Sequence, residues 1–375
     1  MTYSILVINW QDISNPFGGG AEVHLHEIFK RIAQQGHTVT LLCSSYAGAA
    51  EEKTIDGIHI IRRGSRSMFN FHVPWMCRKI VKTMHVDIVI DDINKIPFYT
   101  PLYVRRPLIG IIHHLFGKSI FIEASLPAAM YVNTAERLVP WVYRTIPMTV
   151  VSQSTKNELL AKGFHEQNIH IIHNGVDTAA YKTIPKKRSE FPYIGYLGRI
   201  KKYKSVDHLL LAFKRVRNKI PDAQLVIIGD GDYLHTLHEL TDSLELSHAV
   251  TFAGAANEQQ KQEYLNHVWF TVNPSPKEGW GLTVIESNAC GSPVIAADSP
   301  GLRDSVANEH SGLLYPYGDI EALANTMIQL IENPAQLRAL RHNCVPWAQQ
   351  FSWDVSAQKM LDLIHETVSS YNPEN

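Results

Sequence analysis

The sequence has few cysteines, and none of them are close together. Among its 375 residues are Cys43, Cys77, Cys290 and Cys344, and no two of them form a C-x-x-C motif. Scattered cysteines in so long a chain disfavour a disulfide framework and are typical of a reducing compartment. The N-terminal residues MTYSILVINWQD lack a basic region ahead of a long apolar run, so we interpret them as a first strand instead of an export signal. The sequence therefore predicts a cytoplasmic protein.

Other absences exclude further classes of protein. There is no run of about 20 apolar residues, so no membrane-spanning helix is expected. The formal net charge is only -1, which gives no overall attraction for nucleic acid, and we predict no nucleic-acid partner. The histidines form no H-E-x-x-H or similar metal-binding pattern. The D-x-D pattern Asp230-Gly231-Asp232 directly follows an apolar run and is better explained as a tight turn, so no metal cofactor is predicted.

What the sequence does contain is an alternation of short apolar runs with longer segments of helical periodicity. The runs form two series: 5–8, 39–42, 58–61, 88–90, 108–112, 148–151 and 169–172, then 193–197, 225–228, 251–252, 270–272, 294–296 and 312–314. This alternation predicts parallel β/α units. Since the chain is too long for a single core, we predict an α/β fold with two tandem Rossmann-like, doubly wound domains.

The domain boundary is expected where the two series meet. The segment Lys182–Pro192 is polar, basic and bracketed by prolines, which is typical of a linker. We therefore assign residues 1–183 to an N-terminal domain, 184–352 to a C-terminal domain and 353–375 to a C-terminal helix. Ligands of open parallel sheets bind outside the carboxyl ends of the strands, so the expected site is a cleft that both domains face.

The segment Pro274–Ala297 carries the most informative pattern. A strand that ends at Asn273 leads into a Gly-x-Gly turn at Gly279 and Gly281, and a helix is predicted over 282–289. This arrangement predicts a free helix N-terminus at the end of a strand, where anions bind well.

The residues around that helix N-terminus suggest what it binds. The N–H groups of Gly281, Leu282 and Thr283 have no partner within the helix and are expected to hold a diphosphate. Glu278 lies just before the turn and Glu286 lies on the helix. Carboxylates at these positions would accept hydrogen bonds from sugar hydroxyls and from a ribose.

Two cations follow a strand of the same domain. Arg199 comes directly after the apolar run 193–197 and Gly198, and Lys204 lies five residues further on. Cations at the end of a strand can neutralise a leaving diphosphate.

Taken together, these residues resemble the retaining glycosyltransferases of family 4, which have the two-domain GT-B fold. The resemblance extends over nearly the whole chain and rests on short motifs. They are Gly18-Gly19-Gly20-Ala21-Glu22, Gly36-His37-Thr38-Val39, Ser152, His173-Asn174-Gly175-Val176-Asp177, Gly198-Arg199 with Lys204, Glu278-Gly279-x-Gly281 with Glu286, Ala289-Cys290-Gly291-Ser292-Pro293-Val294-Ile295 and Phe351-Ser352-Trp353. One departure is Ser205, because glycine usually follows the lysine in this family.

In the C-terminal domain the resemblance implies a role for each matching residue. Arg199 and Lys204 are expected to bind the donor diphosphate. Glu286 would bind the ribose, and Glu278 would face the donor sugar as a catalytic carboxylate.

In the N-terminal domain the resemblance implies that the loop residues Gly19 and Gly20 approach the donor phosphates. It also implies that His113, at the end of a strand, lies near the donor sugar, with His114 as the alternative. The helix 353–375 is expected to cross back onto the N-terminal domain.

Each of these features has a simpler structural explanation when it is taken alone. The glycine loop lacks the full G-x-G-x-x-G order and would serve as a strand-to-helix turn. His113 would be a core histidine with a backbone partner. Arg199 and Lys204 would belong to a charged surface loop.

The segment between Gly57 and Val86 is basic and amphipathic, and its sequence leaves two explanations open. It has six Arg or Lys residues and no Asp or Glu. Apolar residues are interleaved with them, namely Met68, Phe69, Phe71, Val73, Trp75 and Met76. One explanation is peripheral contact of residues 62–82 with the inner face of a membrane. The other is a basic rim that contacts a soluble anionic acceptor or nothing.

The sequence and the resemblance together predict a metal-independent, retaining glycosyltransferase that uses a nucleotide-diphosphate sugar as donor. The N-terminal domain would hold an acceptor, which is a sugar, a lipid-linked sugar or a small molecule. The alternatives are a nucleotide-sugar epimerase or phosphorylase on the same fold, and a two-domain binding protein without catalysis. An NAD-dependent dehydrogenase is the weakest alternative because neither domain has the ordered glycine fingerprint.

Overall fold

The computed structural model describes residues 1–94, 96–117, 120–123, 125–184 and 188–372. The chain forms two compact units, Met1–Gly175 with Trp353–Asn375, and Val176–Ser352.

The second unit begins at Val176 instead of at residue 184, because the segment after Gly175 is bonded to that unit. The Val176 N–H donates to the Phe351 carbonyl at 2.9 Å, and the Ile184 N–H donates to Asn266 Oδ1 at 2.7 Å. The predicted linker Lys182–Pro192 includes residues 185–187, which lie outside the described residues.

The first unit is built on a sheet of eight strands. They are β1 (Ser4–Ile8), β2 (Thr38–Cys43), β3 (Glu52–Ile55), β4 (Ile58–Arg62), β5 (Ile88–Asp92), β6 (Leu108–Ile112), β7 (Met148–Val150) and β8 (Ile169–Ile171). Their order is β3-β4-β2-β1-β5-β6-β7-β8, and every neighbouring pair is parallel except β3 with β4. The predicted parallel β/α arrangement is confirmed, and the polar strand β3 adds an antiparallel edge that apolar runs could not reveal.

In the described part of the first unit, five helices precede the second unit in the chain. They are α1 (Gly20–Gln34), α2 (Phe69–Thr83), α3 (Ile120–Glu123), α4 (Leu126–Tyr143) and α5 (Gln153–Ala161). Helix α1 buries Leu25, Ile28 and Ile32 on one face, as an amphipathic helix does when it packs on a sheet. The helix ends just before Gly36, whose positive φ of 92° suits a glycine that stops a helix.

The second unit has a parallel sheet of six strands. They are β9 (Tyr193–Leu197), β10 (Gln224–Ile228), β11 (Val250–Gly254), β12 (Phe270–Asn273), β13 (Val294–Ala297) and β14 (Gly312–Tyr315). The helices of this unit are α6 (Val206–Lys219), α7 (Leu234–Ser243), α8 (Glu258–His267), α9 (Leu282–Ala289), α10 (Leu302–Ser305), α11 (Ile320–Glu332) and α12 (Pro334–Gln349). The strand order β11-β10-β9-β12-β13-β14 is that of a doubly wound sheet.

The last helix, α13 (Trp353–Ser370), belongs to the first unit. Arg31 Nε on α1 donates to Asp354 Oδ1 at 2.6 Å, and the Tyr3 hydroxyl is 2.5 Å from His365 Nδ1. The prediction that the C-terminal helix returns to the N-terminal domain is confirmed. None of the helices in the described part of the chain is long and apolar enough to cross a membrane.

Candidate functional site

Each sheet has one point where its strand order reverses, and ligands of such sheets bind beside this point. In the second unit it lies between β9 and β12. The loop after β9 carries Arg199 and Lys204, and the loop after β12 carries Glu278 and Gly281. The topology therefore brings the predicted donor-binding residues of this unit to one edge of the sheet.

Lys204 and Glu278 form an ion pair at this edge. Both side chains are largely buried, with 14% and 17% of their surface exposed. Burial acts to lower the pKa of Lys204, but the Glu278 carboxylate outweighs it, so the pKa lies above its ordinary value. The lysine is a fully charged ammonium group that the carboxylate holds in place.

Ser205 explains how the chain tolerates the missing glycine after Lys204. Its φ is 55° and its ψ is 36°, which is the left-handed region that glycine adopts at least cost. The Ser205 hydroxyl lies 3.1 Å from the Tyr317 hydroxyl, a hydrogen bond that glycine could not form. The departure from the family pattern thus keeps the backbone conformation, and α6 begins at the next residue.

The free helix N-terminus predicted near residue 282 is present. Gly281 precedes α9 with a φ of 102°, and no side chain caps the helix at this position. A Cβ at Gly281 would be 2.9 Å from Ser305 Oγ and 3.2 Å from Leu302 Cδ2. The turn therefore requires glycine, and the N–H groups of Leu282 and Thr283 lie in the first turn, where helix geometry gives them no intrahelical acceptor.

Glu286 lies on the second turn of α9 among ionisable groups that the sequence did not identify. Burial raises its pKa, the Lys261 ammonium opposes the shift, and the Glu258 carboxylate adds to it. The hydroxyl of Tyr181 hydrogen-bonds to Glu258, and Lys261 Nζ is 2.5 Å from Glu258 Oε1. Sequence patterns miss this group because Tyr181 and Glu258 are 77 residues apart.

Arg199 is exposed, and its loop is supported by the Asp230-Gly231-Asp232 turn. The Ile200 N–H donates to the Asp230 carbonyl at 2.8 Å, and a Cβ at Gly231 would be only 2.0 Å from the Ile200 carbonyl oxygen. Asp232 forms an ion pair with Lys201 at 2.6 Å. In the structure, this D-x-D pattern has a structural role, with its glycine required by close backbone contact.

In the first unit the strand order reverses between β1 and β5, and the glycine loop follows β1. The Gly19 N–H donates to Glu22 Oε2 at 2.7 Å, and Asn94 Nδ2 donates to Glu22 Oε1 at 2.8 Å. Gly20 is the first residue of α1. The buried Glu22 thus fixes the loop between the ends of β1 and β5.

His113 lies at the end of β6 and is buried, with 6% of its surface exposed. Its Nε2 is 3.0 Å from Oδ1 of the buried Asp92. Burial acts to lower the pKa of His113, but the carboxylates of Asp92 and Glu22 outweigh it and raise the pKa above its usual value. Its partner is therefore a carboxylate and not the backbone group that the simpler explanation proposed.

The His113 ring also contacts a second histidine that the sequence did not single out. The His24 ring lies edge-on to it, with centroids 4.9 Å apart, and His24 Nδ1 is 2.6 Å from Asn174 Oδ1. Burial lowers the pKa of His24 well below its usual value, and charge on His113 adds to this. By contrast His114 is only half-buried and packs on Phe116.

Some residues of the basic segment 62–82 are buried and others are exposed. Arg62 is fully buried, and its Nε is 2.7 Å from Asp12 Oδ2, so it is unavailable to a membrane. Phe69, Val73 and Met76 pack in the core. The exposed part of the segment includes the apolar residues Met68, Phe71 and Trp75.

Comparison with known proteins gives two family matches. Residues 18–180 match the model for Glycosyltransferase Family 4. Residues 177–350 match the model for Glycosyl transferases group 1. Together the two matches cover residues 18–350.

Among curated proteins, the chain is similar to D-inositol 3-phosphate glycosyltransferase from Jonesia denitrificans. The two are 32% identical over 222 residues, which is 54% of this chain and 52% of that protein. The chain thus spans about half the length of this relative.

Solved structures show the fold. Sucrose-phosphate synthase from Thermosynechococcus elongatus matches with a TM-score of 0.85 and 20% identity, covering 98% of this chain and 100% of that one. Anabaena HepE, determined in complex with UDP-glucose, matches with a TM-score of 0.76 and 20% identity, covering 98% of this chain and 100% of that one. The predicted GT-B class, with two Rossmann-like units, is confirmed.

Proposed function

Because the chain belongs to glycosyltransferase family 4, we propose that it transfers a sugar from a nucleoside-diphosphate sugar to an acceptor hydroxyl. The observation that carries this proposal is the buried Lys204–Glu278 pair at the sheet edge to which the uncapped N-terminus of α9 also belongs. A cation, free amide groups and a carboxylate together fit a ligand that combines a diphosphate with hydroxyl groups.

In this proposal the second unit holds the donor. Lys204, Arg199 and the amides of Leu282 and Thr283 bind the diphosphate. Glu286 accepts hydrogen bonds from the ribose. The UDP-glucose complex of the similar HepE structure supports a nucleotide-sugar donor for this chain.

Lys204 and Glu278 would contact the two ends of the donor, the lysine at the diphosphate and the carboxylate at the sugar. When the diphosphate takes over Lys204, the Glu278 carboxylate is released to accept hydrogen bonds from the sugar hydroxyls. We also propose roles for Gly19 and Gly20 in binding the donor phosphates and for His113 in binding the donor sugar.

The proposed reaction retains the anomeric configuration. The bond between the anomeric carbon and the diphosphate oxygen breaks, and the acceptor oxygen bonds to the same face of the sugar. The acceptor proton passes to the leaving phosphate, so no covalent sugar–enzyme intermediate forms. Product stereochemistry determined by NMR tests this step, and an inverted product would contradict it.

We also propose that the reaction needs no metal ion, because the two cations and the helix N-terminus supply positive charge to the leaving group. Turnover in EDTA should equal turnover in Mg²⁺. A large loss of turnover in EDTA, restored by Mg²⁺, would contradict the proposal.

We also propose that the first unit binds the acceptor. The protein would work in the cytoplasm, in peripheral contact with the inner face of the membrane. Support comes from the four cysteines, which are all free and buried thiols, and from the exposed part of residues 62–82. A sugar, a lipid-linked sugar or a small molecule would each fit this assignment.

The decisive experiment is turnover of a panel of nucleotide sugars with and without candidate acceptors. A glycosyltransferase consumes the donor quickly only when an acceptor is present, and it forms a new glycoside. An epimerase converts the donor without an acceptor, and a phosphorylase requires inorganic phosphate. Nucleotide-sugar binding without any turnover would support the two-domain binding protein.

A further inference from the structure

Helix α2 presents an exposed face that changes in character along its length. Met68 at its N-cap, Phe71 and Trp75 are exposed, the last two by 63% and 67%. Arg78, Lys79 and Lys82 follow on the same face at helical spacing and are also exposed. Lys79 Nζ lies 5.6 Å from the centre of the Trp75 ring. The face is thus apolar at its N-terminal end and cationic at its C-terminal end.

Helix α4 of the same unit has a second exposed apolar face. Trp141 is 82% exposed, and Leu126, Met130 and Leu138 are also exposed. They recur at intervals of three, four and eight residues, so they lie along one side of the helix. Such a row of large apolar side chains is unusual on a surface that meets only water.

A hydrogen bond links the two helices at the N-terminal part of α2. Asn70 Nδ2 on α2 donates to the Tyr131 hydroxyl on α4 at 2.7 Å. Phe71 and Met130 are adjacent in sequence to the two bonded residues. We call the exposed residues of α2 and α4, together with Met68, the two-helix surface.

The charge of the two-helix surface is of one sign. Arg137 and Arg144, the latter just after α4, are exposed and add to the three cations of α2. Helix α2 contains no acidic residue. The acidic residue of α4, Glu136, is buried and accepts the N–H groups of Phe116 and Gly117 at 2.6 and 2.8 Å. The surface is therefore cationic, although the whole chain has a net charge of -1.

We propose that the two-helix surface docks this protein on a bilayer that contains anionic lipids. Its apolar residues, with tryptophan on both helices, would enter the boundary between headgroups and acyl chains, where tryptophan is favoured. Its five cations would face the anionic headgroups. This extends the membrane contact proposed above for residues 62–82 by a second helix that the sequence did not implicate.

The positive charge of the two-helix surface favours an anionic bilayer over a second copy of the chain as its partner. A symmetric dimer through this surface would bring two sets of cations together, with no exposed carboxylate on either helix to compensate them. An anionic bilayer compensates every cation.

The test is co-sedimentation of the full chain with vesicles of phosphatidylcholine alone and of phosphatidylcholine with phosphatidylglycerol. We expect binding to the anionic vesicles, weakened by high salt, and a blue shift of tryptophan fluorescence that disappears in Trp75→Phe/Trp141→Phe. Replacing Arg78, Lys79 and Lys82 by glutamine should lower the partition coefficient by roughly 100-fold, since each cation near an anionic surface contributes about five-fold.

Three variants and one control separate the possible outcomes. Phe71→Glu, Trp75→Glu and Trp141→Glu should each weaken vesicle binding at least as much as the loss of one cation. Leu211→Glu, at an exposed apolar position on α6, should leave it unchanged. Absence of binding to anionic vesicles, or binding that these three variants leave intact, would overturn the proposal. So would dimerisation in solution that the same variants abolish.

The membrane proposal and the transfer proposal fail in different ways. Nucleoside-diphosphate affinity, measured without vesicles, should be unchanged in all three glutamate variants. If vesicle binding is lost while nucleotide binding persists, the two-helix surface is confirmed as a separate docking surface. If variants of the donor residues lose nucleotide binding but still bind vesicles, the surface again acts independently.

Discussion

The Lys204 ammonium group forms an ion pair with the Glu278 carboxylate, although the two residues are 74 positions apart in the sequence. The pair joins the loop after β9 to the loop after β12. A diphosphate that binds Lys204 would compete with this carboxylate, so donor binding is expected to break the pair and free Glu278 for the sugar.

Replacing Glu278 by glutamine should therefore separate binding from transfer. The variant keeps the shape of the side chain but removes its charge, which leaves Lys204 free for a diphosphate. We expect nucleoside-diphosphate affinity to stay the same or rise a few-fold, and kcat for transfer to fall by about 100-fold or more. Calorimetry and an acceptor-dependent assay measure the two effects. A parallel loss of diphosphate affinity would contradict this role for Glu278.

Gly281→Ala should damage both stability and donor binding. An alanine at a φ of 102° costs about 1 to 2 kcal/mol, and its Cβ would press on Ser305 Oγ at 2.9 Å. Because the turn sets the position of the α9 amides, nucleoside-diphosphate affinity should fall as well.

Gly318→Ala is the matched control for Gly281→Ala. Gly318 also has a positive φ, of 84°, but a Cβ there would meet no atom within 4 Å. It should lose stability through the backbone alone and keep its nucleotide affinity. Chemical denaturation and calorimetry on both variants check the prediction, and equal nucleotide affinities would argue against a role for the α9 N-terminus.

Asp92→Asn should lower the pKa of His113. The Asp92 carboxylate opposes the effect of burial and holds this pKa above 6.5, so without the negative charge burial should bring it below that value. Since the folded-state pKa of this histidine is raised, its ion pair stabilises the fold at low pH and loses effect as pH rises through that pKa. The destabilisation caused by Asp92→Asn should thus be larger at pH 6 than at pH 9.

NMR titration of the histidine ring protons tests the Asp92–His113 link directly. An unchanged midpoint for His113 would show that Asp92 does not control its charge.

Asp91→Asn should change the pH dependence of stability. Asp91 is fully buried, and its Oδ2 accepts hydrogen bonds from the hydroxyls of Thr100 and Tyr143, each at 2.6 Å. Burial raises its pKa to about 6, so the folded state binds the proton more tightly than the unfolded state. Because of this group, the free energy of unfolding of the wild type should decrease as the pH rises from about 4 to about 6.

The asparagine side chain does not titrate in this pH range, so the variant lacks this pH dependence. Its free energy of unfolding, relative to wild type, should rise by roughly 2 kcal/mol between pH 4 and pH 7. Urea denaturation at the two pH values measures the difference, and a constant difference would show that Asp91 keeps an ordinary pKa.

Local features of the sequence predict much of the fold. The buried parallel strands are continuous apolar runs in the sequence. Gly36 follows the last residues of α1 and has a positive φ, the conformation in which glycine commonly ends a helix. Strand β3 was not predicted because its residues, EKTI, lie at an edge and have no apolar pattern. The second unit begins before the predicted boundary because Val176 and Tyr181 hydrogen-bond to Phe351 and Glu258 inside that unit.

The candidate site could be predicted only in part. Lys204, Glu278, Gly281 and Glu286 belong to short motifs with a clear chemical purpose. The partners of the predicted residues could not be found this way, because each contact joins distant segments. Asp92 reaches His113 only because β5 and β6 are neighbours in the sheet, and Tyr181 reaches Glu258 only through the packing of α8.

The central claim is that Lys204 binds the diphosphate of the donor, and calorimetric titration with a nucleoside diphosphate tests it most directly. Lys202→Ala is the matched control, since Lys202 lies in the same turn but is exposed. Lys204→Ala should lower the affinity by roughly 10- to 100-fold, as expected for the loss of a charge-assisted hydrogen bond, and Lys202→Ala should leave it nearly unchanged. Wild-type affinity in Lys204→Ala would contradict the account.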